Sequence, residues 1–415
     1  MDSPNAPNVG VIGGGIAGLC LAQGLKKAGI PVTLYERDQI NTNYLLGFRL
    51  QIRDPGNNAL KACLPPHLYD TFIATSSALP GRMNQLTPQL ETLQSSRVEP
   101  VLDRAARHKS VSRITLLQIL EAGLDGIVRR GRTFTHYEEL PDGRVKTHFD
   151  DGRTAVHDIL VGADGANSLI RRALLPQARR IDTRIRRIAG KVEISDEVRR
   201  WLNPQLIDGV ISISSDAGFN IYITNHQIEY DVGKRTDGIG VTPAAAGLHP
   251  GMLYDNVNSY VMWAFSARET ALPPDDRLFS LSGEDLRAFC LEKIAGWHTT
   301  VRELIRRTAP STIQALPVKS SLPVPPWATR QITLTGDAIH SMTYFQAMGA
   351  NTSLHDAALL TRELIALRDG QKDTVEALHD YEAAMLEFGF AAVMTSLNAL
   401  ENSLGIRDFA QLVTA

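Results

Sequence analysis

A short apolar run near the start of the chain, Val9-Gly10-Val11-Ile12, leads directly into Gly13-Gly14-Gly15-Ile16-Ala17-Gly18. Leu19, Leu21, Ala22 and Leu25 then recur at roughly helical spacing as far as Lys26-Lys27-Ala28-Gly29, which reads as a helix end. Pro31-Val32-Thr33-Leu34-Tyr35 follows as a second strand and closes at Glu36. This strand–turn–helix–strand unit leaves the chain little freedom. Gly13 permits the tight turn off the strand, Gly15 lets the backbone approach a pyrophosphate, and Gly18 lets helix and sheet pack closely. The helix N-terminus offers free N–H groups and its dipole to phosphates. Glu36 stands where a carboxylate accepts from a ribose hydroxyl. A lone Gly-x-Gly-x-x-Gly is weak evidence, but here strand, helix and acidic residue agree, so a dinucleotide site is expected. The motif alone does not separate FAD from NAD.

Composition sets limits around that unit. With 415 residues, 43% of them hydrophobic and 21% charged, the chain can bury a sizeable core. A formal net charge of −2 gives no electrostatic reason for a nucleic-acid partner. Cys20, Cys63 and Cys290 form no CxxC pair, so neither a disulfide framework nor a metal site is expected. A reduced, cytoplasmic setting is the expectation. Met1 to Asn8 lacks the basic flank of a signal peptide. No stretch reads as long and apolar enough for a membrane span. The best candidate, Phe388 to Leu400, is short, carries Thr395, Ser396 and Asn398, and reads as a buried C-terminal helix.

Further along, Ser110 to Leu124 reads as an amphipathic helix, and Thr133 to Asp151 alternates like strands around Pro141-Asp142-Gly143. Ile159-Leu160-Val161 is a buried strand that ends in Asp164-Gly165. Val210–Ser214, Phe219–Thr224, Ile228–Val232 and Tyr260–Ser266 are expected to build a second, largely antiparallel sheet. Helical patterning returns over Gly283–Arg307, Leu354–Arg368 and Asp373–Leu400, and a strand at Ile332–Thr335 runs into Gly336-Asp337. The expected fold is α/β: a Rossmann-type part over 1–175, a substrate sheet over 176–275, a return to the nucleotide part over 276–370, and a C-terminal helix over 371–415. Arg184-Ile185-Arg186-Arg187 reads as a solvated basic edge, and Tyr222, His226 and Tyr230 as packing or edge residues. His340 reads as a structural hydrogen bonder and Cys20 as a small core residue.

Three ordered motifs resemble the class A flavoprotein monooxygenases, the p-hydroxybenzoate hydroxylase-like family. They are the N-terminal glycine motif with Glu36, the segment Gly162-Ala163-Asp164-Gly165-Ala166-Asn167-Ser168-Leu169-Ile170-Arg171, and the segment Gly336-Asp337-Ala338-Ile339-His340-Ser341-Met342. The last continues through Met348-Gly349-Ala350-Asn351 to Asp356-Ala357. Arg113 with Leu116 and Leu120 also matches a family helix. The likeness is weakest between about 175 and 310.

The resemblance implies a Rossmann-type FAD domain interleaved with a substrate sheet and long C-terminal helices. It implies that Gly13, Gly15 and Gly18 approach the FAD pyrophosphate and Glu36 the adenosine ribose. Asp337 would hold the ribitol and phosphate region, and Asp164 would lie near FAD and help admit NADPH or NADH. Arg113 would contact FAD, Arg49 would lie beside the flavin, and Gly349, Ala350 and Asn351 would form the helix start next to the ring. The implied activity is insertion of one oxygen atom from O2, through a flavin hydroperoxide, into an aromatic or polyketide-, terpenoid- or alkaloid-like molecule of specialised metabolism.

One departure bears on that activity. Tyr344 stands where the family has proline, and Ala347 where it has the first glycine of a Gly-x-Gly loop. Tyr344, by this departure, and Arg49, by its implied place beside the flavin, are the candidate catalytic residues. A flavoprotein that no longer activates oxygen (an isomerase, dehydrogenase or cyclase) is the first alternative, and a non-catalytic FAD-binding protein the second. A plain NAD-dependent dehydrogenase shares the first motif but not the Gly336-Asp337 segment. Oligomeric state stays open.

Overall fold

In the computed structural model, the described residues are 6–39, 49–78, 81–97, 108–207, 209–227 and 259–404. Val9–Ile12 is fully buried and sits at the centre of a five-stranded sheet. It pairs in parallel with Val32–Glu36 on one side and Ile159–Gly162 on the other. Val128–Arg130 and Ile332–Leu334 complete the sheet, also in parallel. Two faces are covered, so the strands read as continuous apolar runs with no alternation. The helix Ile16–Lys27 packs on the helices Arg113–Glu121 and Gly349–Arg368. The stretch Ser110–Leu124, read from sequence as one helix, is a strand, Lys109–Ser112, that turns into a helix at Arg113. Its buried Ser-Val-Ser pairs antiparallel with Arg49–Ile52, so tertiary pairing overrides the helical periodicity.

The second sheet has seven strands. Its centre is antiparallel: Arg180–Glu193, Tyr260–Arg268, Asn220–His226 and Val210–Ser214. Three of its strands come from outside 176–275. Gln314–Ser321 pairs with Arg180–Glu193, and the hairpin Arg82–Leu86 with Thr92–Arg97 adds to the far edge. The helices Gly283–Lys293 and Thr299–Arg306 pack their buried Leu286, Val301 and Leu304 into this sheet's core, not into the nucleotide part. The chain thus crosses between the two sheets several times. The expected strand at Ile228–Val232, with Tyr230, lies outside the described residues.

The last helix runs Thr374–Leu404, longer than the sequence reading placed it. At 31 residues, with an 18-residue window of mean hydropathy 1.4, it is long and apolar enough to cross a membrane, which corrects the expectation that no stretch is. Its Leu378, Tyr381, Met385, Val393 and Leu397 are buried in the core of the nucleotide part, and the Tyr381 hydroxyl donates to the Leu334 carbonyl at 2.8 Å. In this fold it is a core helix.

Candidate functional site: a dinucleotide cleft that opens onto the second sheet

The first strand ends at Gly13, whose φ of +113° only glycine adopts comfortably. A methyl on Gly18 would overlap the Gly13 carbonyl oxygen, so helix and turn are in direct contact there. Gly18 therefore acts through this packing and forms no part of the cleft wall. A methyl on Gly15 would meet no atom within 4 Å, and the residue lines two adjoining cavities of about 360 and 320 Å³. It is the N-cap of the helix Ile16–Lys27 and brings no side-chain cap. That helix start therefore meets the cleft with bare N–H groups.

The smaller cavity is bounded by Gly13, Glu36, Arg132, Phe134 and Asp164. Glu36 Oε2 accepts from the Gly14 amide at 2.6 Å and Oε1 from the Asp38 amide at 2.9 Å. The carboxylate ties the glycine loop to the strand end while still facing the cavity. Asp164 Oδ2 accepts from the Leu169 amide at 2.8 Å, whereas its Oδ1 is sealed from solvent and has no hydrogen-bond partner. Burial pushes this carboxyl above its ordinary range.

Arg113 lies between the two cavities and lines both. Its Nε is sealed and unpaired, and burial pulls its pKa down against the opposing pull of Asp337. An unpaired buried guanidinium nitrogen costs a chain that has no anion for it. Arg113 fits a phosphate in the cleft, and Asp337, exposed on the wall of the larger cavity, fits the neutral hydroxyls of a ribitol.

The turn that carries Asp337 is held from behind. Asp356, fully buried, accepts from the Gly336 amide at 2.8 Å and from His340 Nε2 at 2.6 Å. The nearby Asp356 carboxylate keeps His340 above its usual pKa despite burial. His340 is a structural hydrogen bonder, as its sequence context indicates. Arg171 Nη1 donates to the Ala338 carbonyl at 2.7 Å and so joins the Asp164 segment to the Asp337 segment.

Gly349 and Ala350 open the helix Gly349–Arg368 on the cavity wall, and Met348 caps it with no side-chain bond. Asn351 differs from expectation. Its side chain is fully buried: Nδ2 donates to the Gln51 and Ala347 carbonyls, and Oδ1 accepts from the Arg53 amide at 2.7 Å. It fastens the strand Arg49–Ile52 to the helix and takes no place on the wall. Ala347 keeps the left-handed conformation of the glycine expected there, with φ of +52°.

Across the larger cavity from these elements stand Arg187, Tyr222, Thr224 and Met262 of the second sheet. Arg49 reaches over and donates from Nη2 to Thr224 Oγ1 at 2.6 Å. The Tyr344 hydroxyl lies 2.6 Å from Ser266 Oγ, its ring stacks on Phe345, and the Arg187 guanidinium lies 4.2 Å from its centroid. Burial raises the Tyr344 pKa, while Arg187 and the Ser266 bond act to lower it.

The basic run thus departs only in part from the solvated edge read from sequence: Arg184 is exposed, whereas Arg186 and Arg187 are not. Neighbours on a strand face opposite sides. Arg186, its side chain 3% exposed, pairs with Asp182, Glu269 and Asp275, while Arg187 turns to the cavity. Tyr222, read as a packing residue, also lines the cavity. A sheet register, which no local pattern carries, puts both there.

Comparison with known proteins agrees with this cleft. The family described as FAD binding domain matches residues 126–396, and an NAD(P)-binding Rossmann-like domain matches residues 11–42. The chain is similar to a dual O-methyltransferase/FAD-dependent monooxygenase of Cercospora beticola, 26% identical over 90% of this chain but only 44% of that protein. The chain spans about half the length of such relatives. It is also similar to a 3-amino-4-hydroxybenzoate 2-monooxygenase of Streptomyces platensis, 28% identical over 92% of this chain and 85% of that one. Among solved structures, a candidate FAD-containing monooxygenase from Photorhabdus luminescens superposes with a TM-score of 0.83 at 29% identity, covering 96% of this chain and 99% of that one. With the family's model matching residues 126–396, well over half of the chain, the chain belongs to the FAD-binding domain family of the class A flavoprotein monooxygenases.

Proposed function

We propose that the protein is an FAD-dependent monooxygenase that consumes NADPH or NADH and places one oxygen atom of O2 in an aromatic or aromatic polyketide-like small molecule. The overall balance is substrate, O2, NAD(P)H and a proton in; oxygenated product, water and NAD(P)+ out. The carrying observation is the larger cavity, walled on one side by Gly15, Asp337 and Gly349 and on the other by Arg187, Tyr222 and Met262. A cofactor ring held by the first wall would face a substrate held by the second. The Streptomyces relative, a 3-amino-4-hydroxybenzoate 2-monooxygenase, supports the aromatic class.

Bound FAD would supply acceptance of hydride and activation of dioxygen. The chain's own groups do the rest. Gly13, Gly15 and Arg113 would hold the pyrophosphate, Glu36 the adenosine ribose, and Asp337 the ribitol. Asp164 would flank the approach of the nicotinamide. The uncapped start of the helix Gly349–Arg368 would stabilise negative charge on the reduced ring. Arg187, Arg49 and Tyr344 would orient the substrate, and Leu50, Met262 and Met342 on the wall would help exclude water.

Tyr344, with its ring stacked on Phe345 at the cavity wall, favours a second reading in which oxygen is not activated and the flavin serves an isomerisation or dehydrogenation. One experiment separates the two. The purified protein is reduced anaerobically with NADPH or NADH, then exposed to isotopically labelled O2 with phenolic substrates. Monooxygenation requires that the flavin spectrum bleach and return and that the product carry one labelled oxygen. Product without label, alongside a competent flavin, sinks the oxygenase reading. A protein that takes up no flavin sinks both.

A further inference from the structure

A group of three side chains stands outside the cleft, on the antiparallel sheet of Phe134–Glu139, Val145–Phe149 and Thr154–His157. His136 and Glu138 are two apart on one strand, so they share a face. His148 lies directly opposite His136 in the register. The two imidazoles stack with centroids 4.2 Å apart and planes 9° from parallel, so the exposed His136 ring must tilt out of the stack before both in-plane lone pairs can meet one ion. The ligand atoms of His136, Glu138 and His148 all lie within 4.8 Å of one another.

The hydrogen bonds around this group select its chemistry. Thr135 Oγ1 donates to the His148 carbonyl at 3.0 Å, which uses its only proton. Its 3.1 Å contact with His136 Nδ1 is therefore an N–H donated by the ring. A neutral His136 then carries its bare lone pair on Nε2, the tautomer a metal needs. His148 Nε2 is sealed from bulk solvent and lies 3.2 Å from Glu138 Oε1, yet without hydrogen-bond geometry. Two ligands of one ion with bonds of about 2.0–2.2 Å stand roughly 3–3.5 Å apart.

We propose that His136, Glu138 and His148 form a binding site for a divalent transition-metal ion of the zinc, nickel and copper class. Two imidazoles and one carboxylate suit such ions, whereas Mg2+ and Ca2+ want shells of oxygen. Three protein ligands leave positions for water, as in an open site and unlike a closed structural one. Lys146 Nζ, 3.8 Å from Glu138 Oε2, competes with the ion for the carboxylate.

The test uses the full chain, freed of metal with a chelator and titrated with zinc chloride in a calorimeter. The expected result is one site whose affinity falls at least tenfold in His136→Ala and in His148→Ala. Thr135→Val, which leaves all three ligands in place but frees the His136 tautomer, is expected to weaken binding about tenfold. Lys146→Ala is expected to tighten it. Unchanged thermal unfolding of the metal-free variants serves as the folding control. No binding by the parent chain, or binding that both histidine variants retain, overturns the site. The readout involves neither flavin nor turnover, so it stands or falls apart from the proposed oxygenase activity.

Discussion

Arg113 shows how one side chain can hold a cavity ready for a charge. Its Nε is sealed without a partner, and the Asp337 carboxylate is the anion that counters its burial. In a chain with nothing to bind, such a group is a net cost. Replacing it with methionine keeps the apolar stem and removes the charge. Arg113→Met is expected to leave the cofactor-free protein as stable as the parent or more so. A charge-assisted hydrogen bond is worth about 1.5–3 kcal/mol, so FAD affinity is expected to fall about 10- to 100-fold. Equilibrium unfolding and flavin titration, done side by side, check both halves. A variant that binds FAD as tightly as the parent removes Arg113 from the phosphate site. Glu36 is a contrasting residue. Both its oxygens already hold backbone amides, so its loss acts on loop shape as well as on ribose binding.

At the level of the element, the first helix and its turn separate folding from binding. Gly18 touches the Gly13 carbonyl, whereas Gly15 faces open space. Gly18→Ala is expected to push the helix Ile16–Lys27 off its strand and to cost about 1–3 kcal/mol of stability, read by denaturant unfolding. Gly15→Ala is expected to leave unfolding nearly unchanged and yet to exclude flavin, because its methyl would occupy the path of the pyrophosphate. Equal stabilities for the two variants would refute this division of roles. The same element shows why the glycine motif reads well from sequence. Turn, helix start and strand are neighbours in the chain, so local residues encode local geometry. Ser110–Leu124 reads badly for the opposite reason, because its first residues take their conformation from Arg49–Ile52, far away in the chain.

At the scale of the molecule, the sheets meet at seams closed by buried neutral histidines. His226 of the second sheet bonds Ser110 of a small sheet at 2.9 Å, and His157 bonds Tyr35 of the parallel sheet at 3.1 Å. Burial, reinforced at His226 by Arg49 and Lys191, pulls His226 down to about 3, and burial pulls His157 down to about 4. An unfolded histidine titrates near about 6.5. Each folded pKa is thus depressed, so the neutral rings stabilise fully above about pH 6.5 and lose that contribution as acid takes the pH toward the folded values. Each histidine contributes a slope of about 1.4 kcal/mol per pH unit in that window. His226→Gln is expected to be less steeply destabilised by acid than the parent between about pH 6 and 4, by a slope of about one proton. Parallel curves of unfolding free energy against pH for the two proteins would count against a neutral His226.

The glycine turn with Glu36, the strands that precede Asp164 and Asp337, and the two C-terminal helices could be read in advance. Each is a contiguous pattern whose conformation its own residues prefer, and in their order along the chain they carry the family resemblance that implies FAD. The tertiary structure decided what depends on residues distant in the chain. It brought Arg187 and Tyr222 to the cavity through strand register, turned Asn351 into a clasp for the strand Arg49–Ile52, and drew strands from three chain regions into one substrate sheet. It also placed His148 opposite His136, a pairing no spacing along the chain announces. A one-residue change of register reverses every side chain on a strand, and register is set by packing between elements, which is why these features waited for the fold.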